Sequence, residues 1–305
     1  MKHRHHPRNR FRERYDLHKL VNYEPDLANY LVDTKSGVSV DFSNSDAVRL
    51  LNRALLKSAY GIKYWDLPDN SLCPPVPGRL DYVHAAAELL IGEEKYEENE
   101  RKNLSILDIG TGASLIYPIL FHYEYGWKSL ATDINPSSLE SAEKIISFND
   151  FGDAIILCRQ KAENTFFESV VQDSMRFDLT VCNPPFYKNQ SEAYAANRRK
   201  NRNIHGRDAG DSKRNFRGLD KELIYPGGEK KFLSGLIRES IRFKSQILWF
   251  SSLVSNKSLI SHVKSEMAMI KPVEWGIKDL SHGNKASRMV YWSFMVKDKR
   301  SSFKS

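Results

Sequence analysis

The chain has 305 residues, with 46 Lys+Arg against 38 Asp+Glu and a formal net charge of +8; its pI is near 9.2. A hydrophobic share of 41% supports a packed core and excludes wholesale disorder. A mean hydropathy of −0.52, with no run near the roughly 20 apolar residues of a spanning helix, speaks against a membrane protein. The charged, His-rich N-terminus has no apolar stretch behind it, so no secretory signal is expected. Cys73, Cys158 and Cys182 form no CxxC pair and are odd in number, which fits a reduced cytosolic or nuclear protein without structural zinc; a cytoplasmic protein is expected. Basic charge is concentrated: residues 1–14 hold six Lys/Arg and one Glu, and residues 197–217 hold eight and two Asp. Such concentrations point to a polyanionic partner.

In chain order, residues 1–100 read as a mainly helical extension and residues 101–305 as an α/β unit. Ser45–Lys57 places Ala47, Leu50, Leu51, Ala54 and Leu55 on one helical face. The Pro-rich run Cys73–Gly78 is expected to be neither helix nor central strand, with a helix from Leu80 to Ile91. Gly92–Lys102, rich in Glu, reads as a solvated linker. Short apolar runs at Ser105–Ile109, Ser129–Ile134, Ala154–Leu157 and Phe177–Cys182 alternate with helical patterns, notably Pro136–Phe148. That alternation predicts βαβ units and a doubly wound, mostly parallel sheet. After a basic loop at 187–226 come a helix at Gly228–Phe243, a strand at Gln246–Val254 and a helix at Ser258–Met267. Strands at Val273–Ile277 and Met289–Val296 predict a terminal antiparallel hairpin on the sheet edge.

Where the first strand of the α/β unit meets its first helix, the residues are Asp108-Ile109-Gly110-Thr111-Gly112-Ala113-Ser114. Glycines there permit positive φ and close approach of a ligand, and free N–H groups at the helix start are expected to meet polar or anionic groups. The third glycine of a dinucleotide fingerprint would fall at Leu115 and is absent, which disfavours NAD and FAD. Asp133 closes the next strand, where an acid can accept ribose hydroxyls; a tight turn and a helix cap before Pro136 would produce the same pattern.

The strand Phe177–Cys182 runs directly into Asn183-Pro184-Pro185-Phe186. Two prolines stiffen the turn and force Asn183 out of the helical region. An amide oxygen and a backbone carbonyl are both acceptors, suited to an NH₂ group on a flat ring that Phe186 can stack upon. Two acceptors drawing on such an amine favour a pyramidal nitrogen and free its lone pair for attack, which is electrostatic preorganisation rather than strong-base catalysis.

The pairing of DIGTG with NPPF resembles the class I (Rossmann-like), S-adenosylmethionine-dependent methyltransferases of exocyclic amines. HPRNR at His6–Arg10, RYDL at Arg14–Leu17, WDLPD at Trp65–Asp69, LCPPVPGR at Leu72–Arg79, GGE at Gly227–Glu229 and WFSSLVS at Trp249–Ser255 extend the likeness. Over about residues 6–295 the chain is similar to the bacterial 23S rRNA adenine-N6 methyltransferase family, and in the same core to the U6 snRNA adenine-N6 methyltransferases. The resemblance implies S-adenosylmethionine as methyl donor, no metal, and N6-methylation of an adenine in large-subunit rRNA, with U6 snRNA, a protein glutamine, or RNA binding without catalysis as alternatives. It places Arg79, Asp108, Gly110, Thr111, Gly112, Ser114, Asp133, Lys161 and Asn183 at the donor, with the segment Gln160–Ala162 near its adenine. Asn183, Pro184, Pro185 and Phe186 form the target-base site. Arg8, Arg10, Arg12 and Arg14, with Arg198, Arg199, Lys200 and Arg202, are candidate RNA contacts, and Tyr187 and Tyr194 can stack on flanking bases. His3 and His5 are read as part of a disordered end, and a monomer is expected.

Overall fold

The computed structural model describes residues 5–35, 37–69, 71–91, 103–195, 223–280, 287–300 and 302–303. Arg198, Arg199, Lys200 and Arg202 lie outside the described residues, as do His3 and the stretch 92–102. The N-terminal part opens with α1 (Leu17–Tyr23), capped by Asp16, whose side chain accepts from the Lys19 amide. A small hairpin follows, β1 (Leu31–Thr34) against β2 (Gly37–Val40), where the composition suggested only helix and coil. Helix α2 (Ser45–Tyr60) is capped by the Asn44 side chain and ends at Gly61 with φ 67°. All five apolar residues predicted on its inner face are buried. Glu24, buried beneath α2, accepts two hydrogen bonds from Arg53, at 2.6 and 2.8 Å, and one from Lys57, which pins the first helix to the second.

Helix α3 spans Val76–Ile91 and so begins inside the Pro-rich run expected to be non-helical. Pro77 stands in its first turn, where a missing N–H costs nothing because no intrahelical acceptor awaits it. The sheet is built from β3 (Ser105–Ile109), β4 (Lys128–Asp133), β5 (Ile155–Arg159), β6 (Phe177–Cys182), β7 (Ile247–Val254), β8 (Glu274–Asp279) and β9 (Arg288–Ser293). Among the described residues its order is β5-β4-β3-β6-β7-β9-β8. The first five strands are parallel, and β9 runs antiparallel to both β7 and β8. The predicted terminal hairpin is present, with the later strand inserted between β7 and the edge strand β8.

Helices cover both faces: α4 (Ile116–Tyr125), α5 (Pro136–Phe148), α6 (Gly228–Glu239), α7 (Ile260–Ile270) and the short α8 (Lys297–Arg300). Strand side chains alternate between the faces. Ile106, Leu179 and Val181 join a hydrophobic cluster with α2, α3 and α4 that runs from Phe11 to Met289. Leu107, Ile109 and Cys182 join a second cluster with α6 and α7. The N-terminal helices and one face of the sheet therefore share a core. Among the described residues, no helix is long and apolar enough to cross a membrane.

Candidate active site

Chain order reverses at β3, with β4 on one side and β6 on the other. At such a switch point the connections leave in opposite directions and open a crevice beyond the strand C-termini. A cavity of about 820 Å³ lies there, bordered by Gly110, Asp133, Asn183 and Pro185. Its size is within the range of about 300–1,000 Å³ typical of small-molecule sites.

Gly110 and Gly112 both take positive φ, 75° and 64°, and a Cβ on Gly110 would meet nothing within 4 Å, so the turn presents bare backbone to open space. Its amides are not free, however. Those of Gly110 and Thr111 donate to the Thr132 carbonyl at 2.9 and 2.8 Å, and that of Gly112 donates to Asp133 Oδ2 at 2.8 Å. These three turn amides are thus spent on the neighbouring strand. Asp133 Oδ1 accepts from the Asn135 amide, also at 2.8 Å. Both oxygens are held in place, and since a carboxylate has about four acceptor positions, this anchoring is compatible with further bonds from ribose hydroxyls. Leu115, where the dinucleotide pattern has glycine, takes φ 53° while fully buried. That conformation costs an L-residue roughly 1–2 kcal/mol, which packing of the side chain offsets.

Asp108 lies fully buried in β3 beneath the turn, with the Thr111 hydroxyl as the polar side chain that faces its carboxylate. Burial pushes its pKa up to about 7; the Thr111 hydroxyl opposes the rise and the Asp133 charge adds to it. A carboxylate has about four acceptor positions, and one hydroxyl leaves room for a further donor. Trp65, from the WDLPD run, is fully buried and donates to the Ser114 carbonyl at 2.8 Å, which braces the turn from the N-terminal side. Of the predicted donor residues, Gly110, Asp133 and Asn183 line the cavity. Asp108, Thr111 and Ser114 are buried in the turn around them. Lys161 is exposed and does not line the cavity, whereas Gln160 and Ala162 on either side of it do. Ile134, 40% exposed directly after Asp133, offers the cavity an apolar wall.

Asn183 is half-buried, and Arg79 reaches its Oδ1 in a long contact of 3.4 Å. Pro184 is buried, while Pro185 and Phe186 are half-buried. Phe186 stands edge-on to Tyr187, 6.3 Å between ring centroids. Beyond it the backbone of Tyr187 bonds to Leu223 and Tyr225, which brings Ile224, Tyr225 and Pro226 to the cavity. Phe232 of α6 packs edge-on against Tyr225 and Phe166. No local motif marks these aromatics and Lys188 as cavity residues, because they gather from three distant segments. Glu229, in the GGE run, is buried and accepts from the Ser255 amide at 2.6 Å and from its hydroxyl, which ties the start of α6 to the end of β7.

The N-terminal arm packs on α3. His5 Nδ1 lies 2.6 Å from Asp81 Oδ2, so His5 is anchored rather than part of a disordered end: a carboxylate 76 residues away supplies the partner. Asn9 is buried and donates to Asp81 and to the Pro77 carbonyl. Arg10 binds Glu124 at 2.8 Å and lies over the Tyr60 ring. Arg12 bonds the Pro7 carbonyl and Arg14 the Val38 carbonyl; both, like Arg8, are solvent-exposed. Among the described residues no group of His, Cys, Asp and Glu side chains forms a metal-binding set.

The profile of a family of RNA methyltransferases matches residues 1–296. The chain belongs to this family. It is 43% identical over 295 residues to the ribosomal RNA large subunit methyltransferase F of Pseudomonas putida (strain GB-1), covering 95% of this chain and 92% of the relative. The Klebsiella pneumoniae protein of the same name is 44% identical over 300 residues, with 97% and 96% covered. Among solved structures, the catalytic domain of human METTL16 in complex with MAT2A 3′UTR hairpin 6 superposes with a TM-score of 0.78 at 28% identity, covering 96% of this chain and 98% of that one. The N-terminal domain of human METTL16 in complex with SAH gives 0.76 at 27% identity, with 96% and 99% covered. This RNA methyltransferase has the class I methyltransferase fold, as its sheet order and strand directions require.

Proposed function

We propose that this methyltransferase transfers the methyl group of S-adenosylmethionine to the exocyclic N6 of a specific adenine in large-subunit ribosomal RNA. The observation that carries the reading is the shared cavity: Asn183 and Pro185 border the same space as Gly110 and Asp133, so a target amine and a nucleoside-bearing donor can meet there. The residues fit the donor. Asp133 would take its ribose hydroxyls, Ile134 would pack on its adenine, and Asp108 and Arg79 are of opposite charge, as the two ends of its amino-acid tail require. Bound there, S-adenosylmethionine would supply an electrophilic methyl carbon on a sulfonium, with a neutral thioether as the leaving group.

The Asn183 side-chain oxygen and the Pro184 carbonyl accept hydrogen bonds from the two N6–H groups and hold the lone pair toward the donor; once the new C–N bond forms, the cationic nitrogen releases one of these protons to solvent. Phe186 stacks on the adenine, which must leave any RNA stack to enter the recess. Residues 1–100 act as an RNA-binding extension to the catalytic unit 101–305. Arg8, Arg12 and Arg14 of the arm contact phosphate, together with Arg198, Arg199, Lys200 and Arg202 of the loop after β6. Arg10 holds the arm to Glu124. A cytoplasmic site of action follows from such a substrate.

The test is transfer of labelled methyl from S-adenosylmethionine to total RNA from cells lacking this protein, followed by nucleoside mapping. Label in N6-methyladenosine at one large-subunit rRNA position is expected. A labelled small structured RNA instead would keep the chemistry and change the substrate, in line with the RNA hairpin bound by the human neighbour. Label in protein glutamine, or no label with donor binding intact, would overturn the reading.

A further inference from the structure

Tyr82 projects from α3 and is fully buried. Its hydroxyl lies 3.2 Å from the Cys182 amide nitrogen and 2.9 Å from Ser251 Oγ. The proton directions follow from the neighbours. Ser251 donates its own proton to the Thr180 carbonyl at 2.7 Å, so Tyr82 donates to Ser251 Oγ and its oxygen accepts from Cys182. Burial keeps the hydroxyl protonated, its pKa well above the usual tyrosine value. A closed relay results, from the Cys182 amide through Tyr82 and Ser251 to the Thr180 carbonyl, beginning and ending on β6.

The place of this relay matters. The register of β6 with β7 ends at the Thr180–Phe250 pair, two residues before Cys182. Cys182 immediately precedes Asn183, and the next two residues are prolines, which have no N–H to tether the loop. The Tyr82 ring is itself held edge-on by Tyr117, 5.3 Å between centroids. One turn earlier on the same helix, Arg79 contacts the Asn183 side chain. One helix thus touches both the backbone leading into Asn183 and its carboxamide.

We propose that Tyr82 is a positioning residue for methyl transfer: its hydroxyl holds the Cys182 amide and thereby fixes where the Asn183 carboxamide stands at the cavity. This rests on the reading of Asn183 as the residue that holds the target amine. Tyr82 touches neither donor nor base; it acts through the backbone.

The experiment is steady-state methyl transfer by the full chain and its Tyr82→Phe, Ser251→Ala and Asn183→Ala variants, with donor affinity and thermal unfolding measured separately. Tyr82→Phe keeps the ring and removes only the hydroxyl. Its kcat is expected to fall about 10-fold or more, since small misplacements of a reacting group are costly, while donor affinity and the KM for RNA hold. Ser251→Ala removes the acceptor that keeps the Tyr82 proton turned away from the Cys182 amide, so the hydroxyl is no longer held as that amide's acceptor; kcat is expected to fall by roughly 3-fold, with the double variant no worse than Tyr82→Phe. A merely structural tyrosine would lower the unfolding temperature and leave the kcat of the folded enzyme alone; wild-type kcat in folded Tyr82→Phe overturns the proposal. Should Tyr82→Phe fail to fold, Ser251→Ala decides, and wild-type kcat there overturns it equally. Asn183→Ala separates the two levels: activity retained in that variant removes the site reading itself, whereas its loss beside a fully active Tyr82→Phe removes only the role of Tyr82.

Discussion

The glycine turn and the Asn183 loop stand side by side at the C-terminal ends of two paired strands, β3 and β6, yet they are secured in opposite ways. The turn is fastened by its neighbour in the sheet: three of its amides bond to Thr132 and Asp133, all within about one βαβ unit of sequence. The loop is held from outside. Its contacts with Arg79 and Tyr82 span 104 and 100 residues and come from a helix of the N-terminal extension. The glycine turn is therefore fastened chiefly by its own neighbour in the sheet, with Trp65 bracing it at Ser114, whereas the Asn183 loop leans on α3. Under the proposed reading, substitutions at the turn should act on donor affinity, and substitutions at Asn183 or Tyr82 should act on turnover.

The largest expected effect is that of Asn183→Ala. Removing a group that stabilises the transition state typically costs about 10²–10³ in kcat, and donor affinity measured by calorimetry should be unchanged because the turn is fastened elsewhere. Loss of donor binding in that variant would erase the distinction between the two halves. Asp133→Asn comes next. Its side chain keeps one acceptor oxygen where the carboxylate uses two, so donor affinity should drop by about 1–3 kcal/mol, roughly 5- to 150-fold, with the KM for RNA unmoved.

Asp108 sharpens the comparison through pH. Its pKa is raised to about 7 by burial. The ionised form is the one that pairs with a ligand cation, so donor affinity should climb as pH rises through about 7, and Asp108→Asn should flatten the profile. Stability carries the opposite sign. Between an unfolded value of about 3.9 and the folded value, the native state retains a proton that the unfolded chain has released. The contribution of Asp108 to stability therefore falls as pH rises across that window, and thermal unfolding of Asp108→Asn should lose that part of the pH dependence. The smallest effect is expected on the arm: Arg12→Glu should weaken RNA binding for all sequences alike and lower the salt slope by about 1–2. An unchanged slope would remove Arg12 from the RNA footprint.

Much of the α/β unit was legible in the sequence. The strands at Ser105–Ile109 and Phe177–Cys182 and the helix at Pro136–Phe148 have the predicted limits, because apolar runs bounded by Gly, Pro and Asn are local signals. Asp133 and Asn183 were identified because each terminates such a strand. The start of α3 at Val76 was missed because proline is a breaker inside a helix and a favourable residue in its first turn. The hairpin β1–β2 is four residues a side, too short for period-two alternation to stand out. The anchoring of His5 depends on Asp81, and no local pattern announces a partner that far along the chain.

The sequence by itself determined the order of strands and helices in the α/β unit, the acid that ends β4 and the asparagine that follows β6, and the uneven distribution of positive charge, since each follows from residue type and spacing. Only the tertiary structure decided that the glycine-turn amides are already spent, that Lys161 faces away while its neighbours face in, and that a buried tyrosine of the N-terminal extension grips the strand before Asn183. The physical reason is the same in each case. A hydrogen-bonding group takes whatever partner folding brings within about 3 Å, and distance along the chain says nothing of that.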